Sequence, residues 1–254
     1  MTNIGVFDSG LGGIAVLNEL AKKNDANFYY LGDNLRVPYG NRPKEEIKKF
    51  AIELVTFLER FDIDFYIIAC NTISVTCKDY LIKHFKKKFI AITDMAVEAS
   101  LECDGDYLAL ATKATISSHY IKNKIEAKKD GKVYEMAALK LVDFIEEGYL
   151  KGPDLDEALR EYLYPANDKA LKNIILGCTH YPLIKDQIQK NLTCHANIID
   201  PAIYLADKLD LGSGQKGVNI FMTKKSAKTE RLIDQIMEVD YKLNYLGDIK
   251  WFMQ

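Results

Sequence analysis

The chain has 254 residues, 48% hydrophobic and 28% charged, with a formal net charge of −2. That composition supports a large core and one or two domains. The near-neutral balance argues against a nucleic-acid partner, and the basic triplet Lys86-Lys87-Lys88 reads as a solvated helix end.

Met1-Thr2-Asn3-Ile4-Gly5 shows no basic region followed by a long apolar one, and no run reaches ~18 apolar residues. A cytoplasmic protein with no membrane partner is expected. In chain order, short apolar runs read as buried strands at Ile4 to Phe7, Phe28 to Leu31, Phe65 to Ala69 and Phe89 to Ile92. Further runs follow at Tyr107 to Ala111, Val133 to Met136, Asn173 to Leu176, Asn197 to Ile199 and Val218 to Phe221. Between them lie helical patterns. In the clearest, Ile47, Phe50, Ala51, Leu54, Leu58 and Phe61 recur at helical spacing, and Pro153 with Asp154, Asp156 and Glu157 opens another. Alternating strands and helices predict an α/β fold of mainly parallel sheets flanked by helices.

The two halves echo one another. Each has a first strand running into a polar loop, at Ile4 and at Leu108, and a later strand ending in cysteine, at Cys70 and at Cys178, with nearly the same offset. Two pseudo-symmetric domains are therefore expected, residues 1–94 plus 205–254 and residues 95–204. No Gly/Ser linker separates them.

Asp8-Ser9-Gly10-Leu11-Gly12-Gly13 follows the first strand and opens a helix, the position where α/β sheets bind ligands. Gly10-x-Gly12-x-x-Ala15, with Asp33 ending the second strand, also fits a dinucleotide fingerprint. Asp8 opposes that reading, because a carboxylate beside the glycines repels a pyrophosphate. Arg36-Val37-Pro38-Tyr39-Gly40 reads as a turn that can aim the Tyr39 hydroxyl at a ligand.

Five cysteines without a C-x-x-C pair indicate neither a disulfide framework nor a cysteine-rich zinc site. Cys77, Cys103 and Cys194 read as packing residues. Cys70 and Cys178 differ, since each ends a strand and is followed by hydrogen-bonding residues: Asn71 and Thr72 in one case, Thr179 and His180 in the other. Those donors can hold a carboxylate, and His180 can stabilise a proton near Cys178.

Five motifs resemble the glutamate racemase family: Asp8-Ser9-Gly10-x-Gly12-Gly13, Val37-Pro38-Tyr39-Gly40, Ala69-Cys70-Asn71-Thr72, Thr112-Lys113-Ala114-Thr115 and Leu176-Gly177-Cys178-Thr179-His180-Tyr181-Pro182-Leu183. The resemblance spans nearly the whole chain, in the family's order. It implies a cofactor-independent, metal-free enzyme that interconverts L- and D-glutamate and supplies D-glutamate for peptidoglycan. It implies an active site in an interdomain cleft, and a homodimer. Carried onto matching positions, Cys70 deprotonates D-glutamate and Cys178 L-glutamate. Asp8 and His180 assist the thiols, and Glu146 is a further carboxylate near Cys178. Asp8, Ser9, Tyr39, Gly40, Asn71, Thr72, Thr112, Thr115, Thr179 and His180 contact substrate.

A free thiol has a pKa near 8.5, so about a few per cent is thiolate at neutral pH, and racemisation needs opposite protonation states at the two sulfurs. The chain departs from the family pattern at Ala111, Thr93-Asp94-Met95 and Asp143, at Pro201-Ala202 after Asp200, and at Lys224-Lys225-Ser226. Three other readings compete with this one: an aspartate racemase, a nicotinamide-dependent oxidoreductase using Gly10-x-Gly12, and a non-catalytic α/β ligand-binding module.

Overall fold

The computed structural model describes residues 2–209, 211 and 217–249. Residues 1, 210, 212–216 and 250–254, assigned from the sequence to the first domain, lie outside the described residues. The elements run β1 (Asn3–Asp8), α1 (Gly13–Lys23), β2 (Asn27–Gly32), α2 (Lys44–Leu58), β3 (Phe65–Ile68), α3 (Asn71–Phe85), β4 (Lys88–Ala91) and α4 (Ile92–Leu101). They continue with β5 (Tyr107–Ala111), α5 (Lys113–Ser118), α6 (Tyr120–Glu126), β6 (Val133–Ala137), α7 (Leu139–Glu146), α8 (Pro153–Lys169), β7 (Asn173–Gly177), α9 (Lys185–Asn191) and β8 (Asn197–Ile199). The last are α10 (Pro201–Lys208), β9 (Gly217–Met222), α11 (Ala227–Ile236) and β10 (Lys242–Tyr245). No helix among the described residues is long and apolar enough to cross a membrane.

Two compact units result. One takes the described residues up to Ile92 and those from Ala202 onward; the other is Thr93–Pro201. The chain changes unit at the starts of α4 and α10, slightly earlier than the boundaries read from the sequence. The first unit holds a six-stranded sheet of order β10-β9-β2-β1-β3-β4, the second a four-stranded sheet of order β6-β5-β7-β8. Every neighbouring pair is parallel. The run β2-β1-β3-β4 has the same order as β6-β5-β7-β8, so the expected pseudo-symmetry is present as topology.

The strands are apolar on both faces because both faces are covered. β5 and β7 are buried at every position. In the first unit α2 and α3 pack Leu54, Leu58, Ile73 and Leu81 against Phe7, Leu31, Tyr66 and Ile68 on one sheet face. The apolar side of α1 (Ile14, Leu17, Leu20) is outside that cluster. In the second unit α7, α8 and α9 pack Leu141, Leu159 and Ile188 against Leu108, Leu110, Ile174 and Leu176. The α2 pattern read from the sequence is present, except that Phe61 falls in the 3₁₀ turn Glu59–Phe61 after it. Pro153 opens α8 as its first residue. The edge strand β10 was not anticipated, since Lys242-Leu243-Asn244-Tyr245 is only partly buried and shows no long apolar run.

The strand order creates the site. From β1 the chain crosses to β2 on one side, while β3 lies on the other side of β1. The loops after β1 and β3 therefore part, leaving a crevice at the strands' carboxyl ends. The same holds for β5 and β7. Close packing supports the first crevice: a Cβ added at Gly32 would lie 2.5 Å from the Gly10 carbonyl oxygen. That same oxygen accepts the Tyr30 hydroxyl at 2.7 Å. Gly32→Ala is expected to displace the Gly10 loop and to destabilise the protein by about 1–3 kcal/mol, read as a lowered melting temperature.

Candidate active site

In the first unit Asp8 is the last residue of β1, and Cys70 follows β3 through Ala69. β1 and β3 are paired, with Phe7 opposite Ile68. Cys70 is the N-cap of α3, so the backbone N–H groups of Asn71 and Thr72 begin that helix. A helix N-terminus favours negative charge. The Cys70 thiol donates to Ser9 Oγ at 3.4 Å, and Ser9 Oγ donates to Asp8 Oδ1 at 3.4 Å. Asp8 Oδ1 also accepts the Gly10 N–H at 2.9 Å. Burial, with the Asp8 carboxylate second, pushes the Cys70 thiol up to about 12, against smaller opposing effects from Ser9 and backbone N–H groups. Asn71 Oδ1 is buried with no hydrogen-bond partner among the described residues. A buried acceptor in that state calls for a donor from outside the chain.

This geometry removes the dinucleotide reading. The anion at the glycine loop is Asp8 itself, which takes up the Gly10 N–H. Asp33, the candidate ribose partner, is fully buried and accepts from Arg36, Tyr39 and Thr223. Tyr39 is buried as well, and its hydroxyl donates to Asp33. Gly40 closes the same turn, which contains a cis Val37-Pro38 peptide.

In the second unit Thr112 follows β5 and caps α5. Its Oγ1 accepts the Thr115 N–H at 3.4 Å and lies 3.0 Å from Thr115 Oγ1. Cys178 follows β7, and Thr179 and His180 lead into the 3₁₀ turn Tyr181–Ile184. His180 joins two groups. Its Nε2 lies 2.7 Å from Glu146 Oε1 at the end of α7, and its Nδ1 lies 3.7 Å from Cys178 Sγ. Burial alone would lower the His180 pKa, but hydrogen bonds with Cys178 and Glu146 outweigh it and hold the imidazole well above its ordinary value. The imidazolium donates through both nitrogens, to the carboxylate and toward the sulfur. Cys70 and Cys178 are each only 5% exposed.

Ala111, a departure from the family pattern, is accommodated by its neighbour. It pairs with Gly177, where an added Cβ would lie 2.7 Å from the Ala111 Cβ. Asp94, another departure, accepts the Tyr120 hydroxyl at 2.5 Å and so ties α4 to α6.

The Asp/Glu/Hydantoin racemase model matches residues 7–209, a span that contains both cysteine half-sites. The chain belongs to that family. It is 39% identical to a glutamate racemase of Persephonella marina over 253 residues, covering 96% of each chain. A glutamate racemase of Carboxydothermus hydrogenoformans is 33% identical, over 94% of this chain and 97% of the relative. Among solved structures, a glutamate racemase of Francisella tularensis in complex with D-glutamate superposes with a TM-score of 0.87 at 29% identity, over 98% of both chains. The protein is an amino-acid racemase, hence an isomerase.

Within the racemase, the first unit brings together Asp8, Ser9, Cys70, Asn71 and Thr72, and the second Glu146, Cys178, Thr179 and His180. No sequence motif marks Glu53 or Thr223 as a site residue, and Arg36 stands out only as part of a turn. These side chains form a buried ionic network around Asp33. Glu53 left one signal, a carboxylate among the apolar positions Phe50, Ala51, Leu54 and Phe57 on the buried side of α2.

The His180 bridge sets a pH dependence of stability. The unfolded imidazole titrates near pH 6.5 and the folded one well above its ordinary value. The stabilisation is therefore complete below about pH 6.5 and lost as pH rises through the folded value. The difference in unfolding free energy between wild type and His180→Gln is expected to be largest near pH 6 and to shrink in alkaline solution, measured by urea denaturation across the series.

Proposed function

We propose that this racemase interconverts L- and D-glutamate, with Cys70 and Cys178 acting as acid and base on opposite faces of the substrate Cα. One observation carries the reading: the same strand order, twice, is followed just past β3 and just past β7 by a cysteine and hydrogen-bond donors. The likeness to a glutamate racemase holding D-glutamate supports the substrate.

In this mechanism Cys178, as thiolate, removes the Cα proton of L-glutamate. The imidazolium of His180, fixed by Glu146, stabilises the negative charge on sulfur before transfer. Cys70, held as a thiol by burial and by Asp8, gives its proton to the opposite face and becomes thiolate. The product is D-glutamate, and the two sulfurs have exchanged protonation states. Turnover of D-glutamate runs the same steps backwards. Neither direction needs a cofactor, because the sulfurs supply both acid and base. Electrostatic stabilisation of the carbanion falls to fixed dipoles and hydrogen bonds.

Asp8, Ser9, Tyr39, Gly40, Asn71, Thr72, Thr112, Thr115, Thr179 and His180 hold the substrate in this reading. The unpartnered Asn71 Oδ1 suits the substrate ammonium, and the N-terminus of α3 suits a carboxylate. D-glutamate then supplies peptidoglycan synthesis. The family resemblance supports a cytoplasmic homodimer as the working form.

The test is incubation with L-glutamate in D₂O without added cofactor, following deuterium entry at Cα by NMR together with loss of optical rotation. Both are expected for the wild type. Cys70→Ser and Cys178→Ser are each expected to slow racemisation by at least about 100-fold. Full turnover by either variant would rule out the two-base mechanism. Rescue of a D-glutamate-requiring bacterium by the wild-type gene, and not by the Cys70→Ser gene, checks the cell-wall role.

A further inference from the structure

We propose that Asp33 is a positioning residue for the turn at residues 36–40, and that the Tyr39 hydroxyl serves the reaction through Asp33 rather than by touching substrate. The inference rests on the racemase reading, which puts Tyr39 and Gly40 against glutamate.

Asp33 joins three parts of the first unit. Its backbone N–H donates to the Asp8 carbonyl at 3.2 Å, at the end of β1. Its Oδ1 accepts from Thr223 Oγ1 at 2.9 Å, just past β9. Its Oδ2 accepts from the Tyr39 hydroxyl and from Arg36 Nε, both in the turn. The Asp33 carbonyl oxygen also accepts the Arg36 N–H at 3.2 Å. Asp33 is fully buried, so water offers none of these groups a substitute.

The network continues outward. Arg36 donates through Nη1 to Glu53 of α2, and its guanidinium lies 3.9 Å from the centre of the Phe50 ring. Arg42 donates to the Arg36 carbonyl from Nε at 3.1 Å and Nη2 at 2.7 Å. The turn is thus held at Arg36, Tyr39 and Arg42, with Asp33 the carboxylate two of them share.

A phenol has one proton to donate. Tyr39 gives it to Asp33, and burial followed by the Asp33 charge holds the hydroxyl protonated, well above its ordinary value. No proton remains there for a substrate carboxylate. The Tyr39 ring packs in the same core cluster as Cys70. Its part in the reaction is to fix the turn backbone relative to that cysteine.

The experiment is a double-mutant cycle on the full-length protein with Asp33→Asn, Tyr39→Phe and the pair, reading kcat and KM for L-glutamate racemisation beside melting temperature. Each single variant is expected to raise KM by about fivefold to tenfold while kcat changes less. The double variant is expected to be no worse than the more impaired single one, since both remove the same link. Additive increases in KM would mean that the Tyr39 hydroxyl contacts substrate by itself, and would overturn the inference. Variants with lowered melting temperature and wild-type KM would overturn it too, leaving only a structural role. If Asp33→Asn does not fold, Thr223→Val, which removes the bond to Asp33 Oδ1, takes its place in the cycle with the same expectations, and additive increases in KM again overturn the inference. A wild-type protein that leaves L-glutamate unexchanged overturns the racemase reading and this inference with it. Failure of the variants alone leaves that reading intact.

Discussion

Parallel strands that reverse their direction of crossover must leave a gap at one place, where the loops after the first and third strands part. In this protein that place occurs once in each sheet, beside β1 and β3 and again beside β5 and β7. Both cysteines and most of the polar residues beside them sit on those loops. Asp8 and Ser9 come from β1, Cys70 to Thr72 from β3, Thr112 and Thr115 from β5, and Cys178 to His180 from β7. Strands buried on both faces hold their ends rigidly, because packing at both faces fixes the backbone. A thiol just past such an end is positioned by the core, as Cys70 and Cys178 are.

The two half-sites share topology and differ in electrostatics. Cys70 is buried beside a carboxylate, and both features favour the neutral thiol. Cys178 faces an imidazole kept protonated by its bonds to Glu146 and to the sulfur. Symmetric architecture with opposite charge is what a two-sulfur acid–base pair requires, since one sulfur must lack a proton when the other holds one. His180 carries this difference. Its bonds to Cys178 and Glu146 together oppose the desolvation that by itself would favour the neutral imidazole.

Much of this was legible along the chain, for local reasons. Nine apolar runs matched nine strands, because a strand covered on both faces needs a short unbroken apolar segment. The cysteines stood out because each ended such a run. β10 was illegible, since its side chains are half-exposed and its pairing with β9 is its main claim to being a strand. The role of Asp33 was illegible for a related reason. A carboxylate at the end of a second strand looks the same in sequence whether it awaits a ribose or is enclosed by Arg36, Tyr39 and Thr223.

The sequence by itself determined the alternation of strands and helices, the placing of two cysteines at strand ends and the polar residues after each. These depend on neighbours a few positions apart. Only the tertiary structure decided the strand order, the bridge from Glu146 to His180 and the network that joins Thr223 to Asp33 and Arg36 to Glu53. Those depend on residues far apart in the chain, and on burial, which sets whether a carboxylate, a phenol or an imidazole keeps its charge. No local pattern records how a distant strand will pair or which groups it will seal from water.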